Sequence, residues 1–70
     1  MNRGYAASSN LQSVGYDEPS QTLEIEFRSG GIYRYFNVPM NLYRELMRAP
    51  SKGGFLHQYI KNAFPYSRVG

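Results

Sequence analysis

Seventy residues without a cysteine, carrying a net charge of +3, argue for one domain, exclude disulfides and leave a transition metal without thiolate ligands. A chain this short buries only about 60% of the surface its unfolded form exposes. Without the usual staples of small scaffolds, stability must come from a dense aromatic core, for which seven tyrosines and four phenylalanines are present, or from oligomerisation.

Residues 1–9, "MNRGYAASS", are small and polar and read as a flexible N-terminal tail ahead of a domain spanning 10–65. "NLQSVGYD" alternates weakly and contains Val14 and Tyr16, which suggests a first strand. "EPSQ" is a turn signal. "TLEIEFR" alternates strictly and is the clearest strand in the chain, with Leu23, Ile25 and Phe27 inward and Thr22, Glu24, Glu26 and Arg28 outward. "SGG" then leads into "IYRYFNV". A three-residue loop at Ser29-Gly30-Gly31 opposes Phe27 to Tyr33, Glu26 to Arg34 and Ile25 to Tyr35. That register puts aromatic against apolar on one face and acid against base on the other. Pro39 stops this strand and suits the first turn of a helix. In "MNLYRELMRA", Leu42, Tyr43, Leu46 and Met47 form an apolar stripe, with Asn41, Arg44, Glu45 and Arg48 on the wet face. Pro50 ends the helix. Ser51 is placed to cap a second helix, "GFLHQYIKNAF", whose buried stripe is Phe55, Leu56, Tyr59, Ile60 and Ala63 and whose outer residues are His57, Gln58, Lys61 and Asn62. Pro65 ends it, and 66–70, "YSRVG", reads as a C-terminal tail. The fold expected is α+β: a three-stranded antiparallel sheet in the order β-β-β-α-α, with both helices on one face.

The succession "VGYD", "LEIEF", "GGIYRYFNVP", "APSKGG" and "YIKNAF" resembles the KTSC domain, a family named for its presence at the C-terminus of some lysyl-tRNA synthetases and found also as a free-standing small bacterial protein. Its central mark, two tyrosines separated by one residue, is matched by Tyr33 and Tyr35. Ser51 and Gly53 match its Ser-x-Gly element, and Ile60 with Lys61 its later Ile-Lys pair. The resemblance covers residues 8 to 64. It implies a link to nucleic acid through the synthetase association, and it brings no active site to carry over.

Two surfaces compete as the binding site. On the helical side, Arg44 and Arg48 lie four apart on one helix face, Lys52 follows in the linker, and Lys61 sits on the outer face of the second helix. With the Gly53 and Gly54 amides and the Ser51 hydroxyl these form a candidate phosphate-contact patch. The ordinary reading of the same residues is a solvated helix face and a loop that needs glycine for its geometry. On the sheet face away from the helices, Ile32 and Phe36 stand with Arg28 and Arg34 among Glu24 and Glu26. Apolar residues on an uncovered face suggest that a protein partner, a second copy of the chain or the N-terminal tail covers it. Tyr33 and Tyr35 read mainly as core, and as a base-stacking platform only secondarily.

His57 is the lone histidine, with no companion ligand and no nucleophile motif nearby, so neither catalysis, a metal nor a cofactor is expected. No apolar run is long enough to cross a bilayer and no apolar leader is visible; with the missing cysteines this points to a cytoplasmic protein. The pI near 9.5 permits attraction to polyanions. The expectation is a non-enzymatic nucleic-acid-binding module for DNA or RNA, with a protein-interaction or homo-oligomeric module as the alternative.

Overall fold

A computed structural model describes residues 10–70 and, at the level of backbone pairing, the strand Asn2–Tyr5. Five strands form one antiparallel meander in sequence order: β1 (Asn2–Tyr5), β2 (Leu11–Asp17), β3 (Thr22–Phe27), β4 (Ile32–Tyr35) and β5 (Tyr66–Arg68). Between β4 and β5 run α1 (Met40–Arg48), α2 (Lys52–Phe55) and a π-helical turn, Leu56–Ile60. The α+β class is as expected, and the three central strands fall where alternation puts them. The strand count is not: the sheet gains a strand at each edge. Asn2–Tyr5 pairs with β2 instead of trailing as a tail; the rest of that expected tail, residues 1 and 6–9, lies outside the described residues. Tyr66–Arg68 returns after the helices to pair with β4.

Opposed residues share a sheet face, so the register sorts the side chains. Tyr16, Leu23, Tyr35 and Tyr66 stand in one row across β2 to β5, and Val14, Ile25, Tyr33 and Arg68 in the next. These rows face the helices. Tyr16, Leu23, Tyr35, Val14 and Ile25 of these rows form the buried core with Leu11, Val38, Leu46, Leu56 and Ile60, and Phe27, Tyr33, Leu42, Tyr43 and Met47 pack on it in part. Tyr16 ties sheet to helix twice: its ring stacks on that of Tyr43 at 4.6 Å, and its hydroxyl donates to the Val38 carbonyl at 2.6 Å. Burial raises the Tyr16 phenol above its ordinary pKa, and the charges of Glu18 and Asp17 add to the shift.

The β3–β4 hairpin corrects the expected register by two residues. Ile25 opposes Tyr33, Leu23 opposes Tyr35, and Arg34 faces Glu24 rather than Glu26. The loop is Arg28-Ser29-Gly30: Gly30 donates its N–H to the Phe27 carbonyl, and Phe27 donates to that of Gly31. A slip of two keeps every side chain on its face, so alternation does not distinguish the two registers. The turn does. Gly30 takes the left-handed position at φ 110°, while a Cβ on Gly31 would lie 2.9 Å from Tyr33 Cε1. Both glycines are thereby used, one for its backbone and one for its missing side chain.

α1 ends at Arg48 ahead of Pro50 as expected, and its wet face, Asn41, Arg44, Glu45 and Arg48, is exposed. The second helix is shorter and less regular than the spacing predicts. Ser51 caps it, its Oγ accepting from the Gly54 N–H at 3.1 Å. Four α-helical residues then widen into the π turn, closed by Lys61 N–H to Leu56 O. The wider turn shifts the helical phase of the residues after it. Leu56 and Ile60 stay buried, whereas Tyr59 and Ala63 from the expected stripe are exposed.

Candidate site: an aromatic and basic cleft at the sheet edge

The helices do not roof the whole sheet. Where the π turn ends, at the β4–β5 edge, a cleft of about 300 Å³ opens on the helical side. Its walls come from three places in the sequence. The hairpin gives Phe27 and Ser29, β4 gives Tyr33 and Tyr35, and the segments around β5 give Lys61, Asn62 and Tyr66. The pairing explains the meeting: Tyr35 opposes Tyr66 and Tyr33 opposes Arg68, so the four side chains stand on one face at neighbouring positions.

The rings interlock. Phe27 meets Tyr33 edge-on at 5.6 Å, and Tyr66 lies 5.8 Å from Tyr33 and 5.7 Å from Tyr35. The Arg68 guanidinium sits 5.9 Å from the centre of the Tyr33 ring, a cation–π contact, and its Nε donates to the Gly70 carbonyl at 2.9 Å. Exposure divides the tyrosines. Tyr35 is 2% exposed and Tyr66 is 59% exposed, with Tyr33 between them. The Tyr35 phenol is raised above its ordinary pKa by burial first and by Tyr33 and Tyr66 second, so it stays neutral and able to donate. Among the described residues no carboxylate lines the cleft. The five acidic residues of the chain are Asp17, Glu18, Glu24, Glu26 and Glu45, in the β2–β3 segment and on α1.

The sequence-predicted patch is divided by the fold. Lys61 enters the cleft, because the π turn carries it there. Arg44 and Arg48 remain exposed on α1, and Arg48 borders a second groove, of about 490 Å³, in which Glu45 also stands with Phe55 and Tyr59. Lys52 is half-buried. Ser51, Gly53 and Gly54 have structural work. Ser51 and Gly54 bond each other. Gly53 is buried against Asn10, whose side-chain Oδ1 stands where a Cβ at that glycine would go.

The alternative surface is also rearranged. Arg34 Nε donates to Glu24 Oε1 at 2.9 Å, Ser13 Oγ to Glu26 Oε1 at 3.0 Å, and Arg28 Nη1 to Gln12 Oε1 at 3.2 Å. Ser13 and Glu24 on that face are buried. Ile32 and Phe36 are half-buried. A Cβ at Gly70 would meet Ile32 Cδ1 at 2.9 Å, so the last residue closes over that side chain. Sequence reasoning misses Ser29, Asn62, Tyr66 and Arg68 as site residues. The signal for two of them is present in "YSRV", whose alternation puts Tyr66 and Arg68 on one side of a strand.

A five-stranded meander with two short helices on one side and an acid-free cleft at one edge defines a small α+β domain of the sheet-and-helix-pair kind. The KTSC domain model matches residues 7–64, and the chain belongs to that family. It is 39% identical to the KTSC domain protein of Yersinia pestis, whose crystal structure superposes with a TM-score of 0.94 over 99% of this chain and 97% of that one. It is 44% identical over 59 residues to the lysine–tRNA ligase of Nostoc sp., a match that takes in 84% of this chain and 10% of the ligase. An uncharacterised protein of Stutzerimonas stutzeri is 44% identical over 61 residues, covering 87% of this chain and 86% of that one. The chain thus spans about a tenth of the length of the ligases it matches and most of the free-standing relative. Among the described residues no helix is long and apolar enough to cross a membrane.

Proposed function

We propose that this chain is a small, non-enzymatic nucleic-acid-binding module whose phosphate contacts come from Lys61 in the cleft lining, with Arg68, held against the Tyr33 ring, adding positive charge nearby. The observation that carries the reading is the meeting, in one concave site, of a lysine and a cluster of aromatic rings, of which Tyr66 is exposed, with no carboxylate in the described lining. Phosphate is attracted by the cations, bases by the ring faces, and nothing in that lining repels the polyanion. Kinship with part of three enzymes named lysine–tRNA ligase supports the same reading. Arg44, Arg48 and Lys52 then contribute to the field around the molecule more than to the contact. The groove beside Arg48 is mixed in charge.

The test is a titration of labelled DNA and RNA oligonucleotides followed by fluorescence anisotropy at low and moderate salt. Affinity is expected to fall with salt, and Lys61→Ala to weaken binding and flatten the salt dependence by about 0.7–0.9 in log–log slope, the value of one phosphate contact. The double change Arg44→Ala with Arg48→Ala is expected to do less. Binding that is undetectable or indifferent to salt overturns the reading. Loss of binding in the double arginine variant with none in Lys61→Ala moves the contact to α1.

A further inference from the structure

Resting on the nucleic-acid reading, we infer that the cleft receives one unpaired base of a single strand, stacked against Tyr66, with the adjoining phosphate on Lys61. Size comes first. At about 300 Å³ the site stands at the lower limit of small-ligand pockets, enough for one flat ring system and too confined for a duplex. Ring geometry comes second. Tyr33 is already engaged, edge-on by Phe27 and over its face by Arg68. Tyr66 is 59% exposed, the most exposed of the cleft's rings, and is tilted by 45° and 37° from Tyr33 and Tyr35, so it is the ring best placed to meet a base. A stacked duplex hides the faces of its bases and would reach only the cations, whereas an unstacked base exposes the surface that an aromatic ring recognises.

Polar groups come third. The Asn62 amide and the Ser29 hydroxyl stand in the lining, and each can donate to or accept from a base edge. They come from separate walls, one from the π-turn side and one from the hairpin. The π turn matters here, because it is what carries Lys61 and Asn62 to the cleft. A strand crossing the β4–β5 edge would lay its phosphate near the ammonium and turn its base inward.

The experiment compares three probes with the unmodified protein: a short single strand, the same sequence as a duplex, and a strand of the same length that is abasic at every position. All keep their phosphates, and only the first offers free base faces. The single strand should bind about tenfold or more tightly than the abasic strand, the effect of one aromatic stack, and more tightly than the duplex. Tyr66→Ala should erase that advantage while leaving the salt slope unchanged, and Tyr66→Phe should restore it. Equal affinity for the intact and abasic strands, or for strand and duplex, overturns the inference and leaves the nucleic-acid reading standing. Failure to bind any of the three overturns both.

Discussion

At the residue scale, Gly53 shows how little room the fold leaves. It joins the start of β2 to the start of α2, because Asn10 packs where its side chain would be. Gly53→Ala should therefore destabilise the domain by about 1–3 kcal/mol, the usual cost of forcing atoms into a packed site. The check is the urea midpoint at unchanged m. In an Asn10→Ala background the same change should cost markedly less, because the clashing atoms are gone. An equal cost in both backgrounds would show that the Asn10 approach is not the reason for the glycine. Tyr35 gives the second prediction at this scale. Its pKa is raised in the folded state above the ordinary 10.0 of a tyrosine. Above about pH 10 the unfolded chain therefore releases a proton that the folded one retains, and stability falls with pH from there toward the folded pKa. Below that window the contribution is fully present. Melting temperature should be level through neutral and mildly alkaline pH and then decline, and Tyr35→Phe should decline less steeply. Equal declines would show that other groups, such as Tyr16, account for the whole effect.

At the scale of elements, the β3–β4 hairpin separates what patterning specifies from what it leaves open. Alternation in "TLEIEF" and "IYRY" assigns faces correctly, because the period of side chains along a strand is two. It does not set the register, since a slip of two preserves every face, and two adjacent glycines leave the turn two ways to close. The turn closes with Gly30 at positive φ and Gly31 close against the Tyr33 ring, and neither is visible along the chain. Gly30→Ala should cost about 1–2 kcal/mol, from placing a Cβ in the left-handed region, even though the space beside it is open. Gly31→Ala should also destabilise, by crowding Tyr33, and should alter binding at the cleft where Gly30→Ala does not. Denaturation and oligonucleotide titration of the two variants separate these effects. The π turn marks the other limit of sequence reading. Apolar spacing in "FLHQYIKNAF" supports a regular helix, whereas the chain takes a wider turn in which Leu56 and Ile60 are buried and which ends at Lys61, a residue of the cleft lining.

At the scale of the whole molecule, the core is largely legible in the sequence and the site is not. The core follows from periodicity, a local property. The cleft needs β5, and β5 is three residues that pair with β4 across a gap filled by both helices. "YSRVG" follows a proline and stands at the end of the chain, where short polar segments read as tails. Only the short alternation in "YSRV" marks Tyr66 and Arg68, although they stand beside Tyr33 and Tyr35, the family's mark. A residue supplied by a three-residue edge strand after the helices leaves little trace in composition or motif.

The strand order has one more consequence. β1 and β5 occupy opposite edges of the sheet, four inter-strand spacings apart, or about 19 Å at the usual separation. A domain joined ahead of β1 attaches at the margin away from Tyr66 and Lys61, whereas one joined after Gly70 begins beside Arg68. An upstream fusion should therefore leave oligonucleotide affinity close to that of the isolated chain, and a downstream fusion should reduce it by crowding. An upstream fusion that abolishes binding would place the contact near β1 instead. The meander thus gives so small a body a polarity: the chain enters the sheet at one margin and leaves it at the other, the margin that carries the proposed cleft.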